Sequence, residues 1–133
     1  MDDIEIYGGE ERVLEKGIYN GFSYVIKSMG SHPTAYVSID VPLWFFDSNG
    51  WRVELTYNSH EGYKVMGLDY SSEWIGWDYA HFGDYYKGKS AETTMPGHKY
   101  TMNEIRADVR EVIDIWINQK KHGRAGRPSK CSY

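Results

Sequence analysis

The sequence predicts an α+β protein: an antiparallel β-sheet of about five strands, packed by one long C-terminal amphipathic helix. Three observations carry this. Short runs in which apolar and polar residues alternate recur through Tyr79. From Thr101 onward the apolar residues instead fall at spacings of three and four, behind a helix-opening signal. The strands precede the helix rather than alternating with helices, which favours antiparallel pairing over βαβ units.

Taken in order, Met1 to Tyr7 sets acids against Ile4 and Ile6 and then meets Gly8-Gly9, a short edge strand or an arm ending in a turn. Glu10 to Lys16 is a brief charged stretch around Val13 and Leu14, interrupted by Gly17. Phe22 to Met29 is rich in β-branched and aromatic residues, bounded by Asn20-Gly21 and Gly30, and predicts a strand. Thr34 to Asp40 alternates cleanly and should pair with it through the Gly30–Pro33 turn, with Pro42 ending the run. Leu43-Trp-Phe-Phe46 is apolar enough to demand a core or a subunit interface.

Asn49-Gly50 is a hairpin dipeptide ahead of a strand over Trp51 to Tyr57, and Tyr63 to Tyr70 reads as another. The last strand covers Glu73 to Tyr79, and residues 87 to 99 form a loop. Thr101 and Glu104 have the spacing of a capping box, in which each side chain accepts from the other's amide. Ile105, Val109, Val112, Ile113, Trp116 and Ile117 form the stripe behind it, and Gly123 is a natural stop.

At 133 residues this is one domain, residues 1–119, followed by a basic tail, residues 120–133. The tail carries Lys120, Lys121, Arg124, Arg127 and Lys130 and no acid, so a net charge of −4 divides into a body of −9 and a tail of +5. An acidic body argues against general nucleic-acid binding. Aromatics make up 16 % of the chain, twelve of them tyrosine, which suits either a binding surface or a small core filled by large rings. The single cysteine, Cys131, allows no intrachain disulfide. With no signal-peptide pattern and no long apolar run, the expectation is a cytoplasmic protein without membrane association.

The densest cluster of ligand-holding groups is residues 74 to 86. Trp77, Tyr79, Phe82 and Tyr85 bring rings, and Asp78, His81 and Asp84 bring polar chemistry at spacings of three. His81 between two aspartates could orient as a base, yet no nucleophile can be placed beside it, Ser59 and Ser90 being unassignable, so no catalytic residue is expected. A metal is not expected either, because the chain has no His-x-x-x-His and no cysteine pair. The simpler alternative is a histidine bonded to Asp78 or Asp84 that locks the loop. Arg106 and Arg110 lie one helical turn apart behind Lys99 and could grip phosphate, or form ordinary helix ion pairs with Asp108 and Glu111. No glycine-rich phosphate loop and no cofactor motif is present.

Thr34-Ala-Tyr-Val37, Leu55-Thr-Tyr57, Ile75-Gly-Trp-Asp-Tyr-Ala-His-Phe-Gly-Asp-Tyr85 and Gly97-His-Lys-Tyr-Thr101 together resemble a family of small, largely uncharacterised proteins of tailed phages and prophages of Gram-positive bacteria. The resemblance spans roughly residues 30 to 118 and is most specific from Trp77 to Asp84. The family pattern has His-Gly-Gly before Leu-Thr-Tyr, where this chain has Trp51-Arg-Val-Glu54. What the resemblance implies is company rather than a reaction: small phage proteins that counter host immunity by binding an effector or sequestering a nucleotide second messenger. The expectation is therefore an anti-defence protein that binds a cyclic ADP-ribose isomer or a cyclic oligonucleotide without turnover, in the infected cell's cytoplasm. Tyr79, His81 and Phe82 would face the base, flanked by Trp77 and Tyr85. Lys99, Arg106 and Arg110 would hold phosphates, and Asp78 and Asp84 the ribose or His81. The alternatives are a protein–protein inhibitor of a host defence effector or nuclease, and a hydrolase of such a signal. Abundant aromatics and the Leu43–Phe46 run also predict self-association.

Overall fold

A computed structural model describes residues 5–39 and 75–122. Its sheet starts from a two-residue turn. Asn20 and Gly21 both have positive φ (48° and 87°), the requirement of a type I′ hairpin, whose twist matches that of the strands it joins. Strand β1 (Arg12–Tyr19) therefore folds back onto β2 (Phe22–Ser28), with Tyr19 opposite Phe22. Strand β1 was not predicted. Its sheet face toward the helix carries Glu15, Gly17 and Tyr19, which hides the apolar alternation that would mark a strand. A register shift between Val13 and Glu15 blurs it further.

Strand β3 (Pro33–Val37) follows β2 through the expected Gly30 turn, closed by the Met29 amide donating to the His32 carbonyl at 2.8 Å. It is shorter than the predicted Thr34–Asp40. Strand β4 (Ile75–Asp78) adds antiparallel to β3 in the register Ala35 to Trp77, giving the order β1-β2-β3-β4. Four strands are thus present among the described residues. The strands expected over 51–57 and 63–70, the Asn49-Gly50 hairpin, the Leu43–Phe46 run and most of the basic tail lie outside the described residues.

Helix α1 (Met102–His122) crosses one face of the sheet. The predicted capping box is formed: the Thr101 amide donates to Glu104 Oε1 at 2.8 Å, and the Glu104 amide to Thr101 Oγ1 at 3.2 Å. The helix ends one residue before Gly123, the predicted stop. Its stripe of Ile105, Val109, Val112, Ile113 and Trp116 buries against Ile26, Ala35, Val37, Ile75 and Trp77. Each such aliphatic side chain contributes about 1.5–3 kcal/mol on leaving water, so this seam is the main apolar burial among the described residues.

Residues 5–7, the described part of the N-terminal stretch, form an arm rather than a strand. Ile6 and Tyr7 enter the core, Gly8 donates to the Gly30 carbonyl, and the Arg12 guanidinium ties the arm down by donating to the carbonyls of Glu5, Gly8 and Glu10. Residues on the sheet's other face, Val25, Lys27, Thr34 and Tyr36, are buried as well, and Lys27 is paired with Glu11 at 2.6 Å.

Candidate functional site

The chain leaves β4 at Asp78 and immediately splits its aromatic cluster in two. Trp77 and Tyr79 turn inward, at 3 % and 2 % exposure. The Trp77 indole N–H donates to the Tyr79 hydroxyl at 2.8 Å, which donates to Asp108 Oδ2 of α1 at 2.7 Å. These two residues were expected in a ligand-facing wall; they are instead the polar seam of the core. A buried indole N–H needs an acceptor, and Tyr79 supplies it.

Beyond them the chain makes a tight turn fixed by its own side chains. The Ala80 amide donates to Asp78 Oδ1 at 3.2 Å and the His81 amide to Asp84 Oδ2 at 3.0 Å, while the Asp84 amide returns to the His81 carbonyl at 2.9 Å. Gly83 takes φ +96°, a conformation that favours glycine. At the tip Phe82 is fully exposed, at 104 % of its reference area. His81 Nδ1 lies 3.7 Å from Asp78 and 3.9 Å from Asp84, so the hydrogen bond that ties His81 to Asp84, as the loop-locking alternative expected, runs through its backbone amide. A second histidine sits close by. His32 stacks on Tyr86 with ring centroids 5.6 Å apart, and its Nδ1 lies 2.8 Å from Ser31 Oγ. Burial lowers its pKa, against the opposing pull of Asp78 and Asp84.

Residues 84 to 100 fold back along this turn. Tyr85 donates its amide to the His98 carbonyl, and His98 donates to the Gly83 carbonyl, both at 3.0 Å. The Tyr85 ring receives the edge of Tyr7 at 5.1 Å, and the Lys99 ammonium lies 4.6 Å above its centroid. Tyr100 packs on Tyr79 at 4.5 Å and reaches Asp84 through a long 3.4 Å hydrogen bond. His98 meets Glu104 at 2.9 Å. Burial would raise the Glu104 carboxyl, but the Thr101 amide and His98 outweigh it and hold it below the usual value.

The predicted arginines are elsewhere. Arg106 grips Glu15 of β1 with Nε and Nη2 at 2.7–3.1 Å, and also donates to Asn103. Arg110 is exposed one turn further on, where its charge acts on Glu15 and Tyr19. Among the described strands β1 and β4 are the first and last of the sheet, three spacings or about 14 Å apart. The arginines and the aromatic turn are therefore not brought together, and Arg106 pairs with Glu15 of β1, a partner that helix spacing did not suggest. Lys99, by contrast, does join the turn through Tyr85.

Apart from Tyr85, one group had no assigned role in the sequence. Tyr85, Lys87, Lys89, Ser90, Thr94 and Pro96 line most of an open depression of about 560 Å³. The signal for it was Lys87-Gly-Lys-Ser90 inside a loop closed by Pro96-Gly97, two lysines flanking a glycine with a single acid, Glu92, in the whole loop. Among the described residues no three of His, Cys, Asp and Glu converge to hold a metal ion. Among the same residues no helix is long and apolar enough to cross a membrane. In comparisons with protein-family models, curated proteins and solved structures, nothing matches this chain.

Proposed function

We propose that this chain is a phage anti-defence protein that binds and sequesters a nucleotide second messenger, a cyclic ADP-ribose isomer or a cyclic oligonucleotide, without turnover. The observation that carries the reading is the Asp78–Asp84 turn, which holds Phe82 fully in solvent on a backbone framework of three hydrogen bonds of 2.9–3.2 Å. An exposed ring on a fixed backbone offers a base a stacking face, worth about 1–3 kcal/mol per base. Asp78, half exposed beside it, can accept from ribose hydroxyls, and Lys99 on the Tyr85 ring supplies positive charge.

Calorimetry against a panel of cyclic nucleotides tests this. Binding, with the ligand recovered intact by mass spectrometry and weakened by Phe82→Ala, is expected. A folded protein that binds none of the panel at high micromolar concentration ends the reading. The same protruding ring, set in an acidic body, also suits a protein–protein inhibitor anchored in a basic-rimmed pocket of a host effector. A stoichiometric partner retained from host lysate after nucleotide removal would favour that alternative. Product accumulating over time, and abolished by His81→Ala, would favour a hydrolase.

A further inference from the structure

We infer that the depression beside Tyr85 is an anion site, in which Lys87 and Lys89 hold the phosphates of a small phosphorylated ligand. This deepens the nucleotide-binding reading and rests on it for the rest of the ligand, while moving the phosphate grip from the helix arginines to this loop.

The charge pattern comes first. Lys87 and Lys89 both line the depression, and no carboxylate among the described residues pairs with either of them or with Lys99. Glu92 is exposed and outside the lining. Two uncompensated like charges repel, and a ligand dianion relieves that repulsion. Ammonium groups are point charges and suit tetrahedral oxyanions, whereas a planar carboxylate is better served by the arginine fork.

The loop is also rigid. Tyr86 and Met95 exchange backbone hydrogen bonds at 3.0 and 2.8 Å, and the Lys87 amide is held by the Ser31 carbonyl at 2.9 Å. Inside that closure, the Gly88 amide donates to Thr94 Oγ1 at 3.0 Å, Thr94 Oγ1 donates to the Ser90 carbonyl at 2.8 Å, and the Ser90 amide donates to Thr93 Oγ1 at 3.1 Å. Gly88 is required by space: a Cβ there would lie 2.1 Å from Thr93 Oγ1 and 2.4 Å from Thr93 backbone atoms. The backbone that carries the lysines is thus fixed before any ligand arrives, which leaves only their side chains to be ordered on binding. The Tyr85 ring offers an apolar wall to the ligand's organic part. About 560 Å³ lies within the range of about 300–1,000 Å³ usual for small-molecule sites.

The test uses the full chain at low ionic strength, with inorganic pyrophosphate as probe and both calorimetry and amide shifts as readouts. Wild-type protein should bind with shifts centred on Gly88, Ser90 and Thr94. Lys87→Gln/Lys89→Gln should weaken binding about tenfold or more with an unchanged melting curve. Lys16→Gln, exposed on β1, should change it less than about twofold. No pyrophosphate binding at millimolar concentration overturns the inference, as does equal weakening by Lys16→Gln, which would mark unspecific charge. Nucleotide binding that survives the double substitution also overturns it, while leaving the broader reading standing. Pyrophosphate binding at this loop, with no nucleotide bound anywhere, upholds the anion site and removes the messenger reading.

Discussion

Replacing Arg106 by Met removes the guanidinium that joins helix α1 to strand β1 and keeps most of the side chain's apolar stem. Arg106 and Glu15 are only 20 % and 21 % exposed, and three contacts of 2.7–3.1 Å link them. Exposed pairs contribute about 0–1 kcal/mol, and removing one partner of a fully buried pair costs about 3–5 kcal/mol. A four-fifths buried, bidentate pair falls between, at about 2 kcal/mol, which lowers the melting temperature of a domain this size by about 6–8 °C. The pH dependence is specific. The Arg106 hydrogen bond, helped by Tyr24 and opposed by burial, holds the Glu15 carboxyl below its usual 4.5. A depressed carboxyl contributes stability that is fully present above the unfolded value and lost as pH falls through the folded one. The gap between wild type and Arg106→Met should therefore be widest near neutrality and narrow toward about pH 3.5. Urea unfolding followed by circular dichroism at both pH values measures it. Equal stabilities at neutral pH, or a gap that does not change with pH, would refute the reasoning.

Three further substitutions probe other joints. Tyr79→Phe takes away the acceptor of the Trp77 indole and a donor to Asp108, and should cost about 2 kcal/mol in thermal or urea unfolding; a loss under about 0.5 kcal/mol would show that the seam is dispensable. Gly97→Ala drives a Cβ to 2.4 Å from the Gly83 carbonyl oxygen, whereas Gly83→Ala meets nothing within 4 Å and bears only the strain of φ +96°. Gly97→Ala should thus be the more damaging of the two, with faster hydrogen exchange at Tyr85 and His98; the reverse order would contradict the close approach described here. Phe82→Ala should leave unfolding unchanged within about 0.5 kcal/mol while weakening nucleotide binding, because its ring touches solvent rather than core. A destabilised variant would show that the ring is structural.

Much of the framework was legible because it is local. The capping box, the α1 stripe and strands β2, β3 and β4 follow from spacing alone, since burial of one face imposes a period of two or of about four on the sequence. Strand β1 was not legible, because two of its helix-facing positions are filled by a charge and a glycine. Glu15 is tolerable there only since Arg106 meets it from 91 positions away, and Gly17 is needed because Tyr24 lies where a side chain would be, its hydroxyl 2.6 Å from where a Cβ would sit. The same Glu15 bond, after burial, lifts the Tyr24 hydroxyl to about 12.

Residues 74 to 86 show the same division. Composition by itself determined that rings and carboxylates concentrate there, and glycine spacing that the chain must turn. Which rings serve the core and which face solvent was decided by tertiary contacts: Asp108 of the helix draws Tyr79 and Trp77 inward, and the turn's own hydrogen bonds push Phe82 out. Likewise the sequence by itself determined that Arg106 and Arg110 share a helix face, but only the sheet order, with β1 and β4 three strand spacings apart among the described strands, decided that this face is remote from the aromatic turn. Periodicity encodes burial along one element; the pairing of elements distant in sequence depends on how they pack, and that is where the site was made.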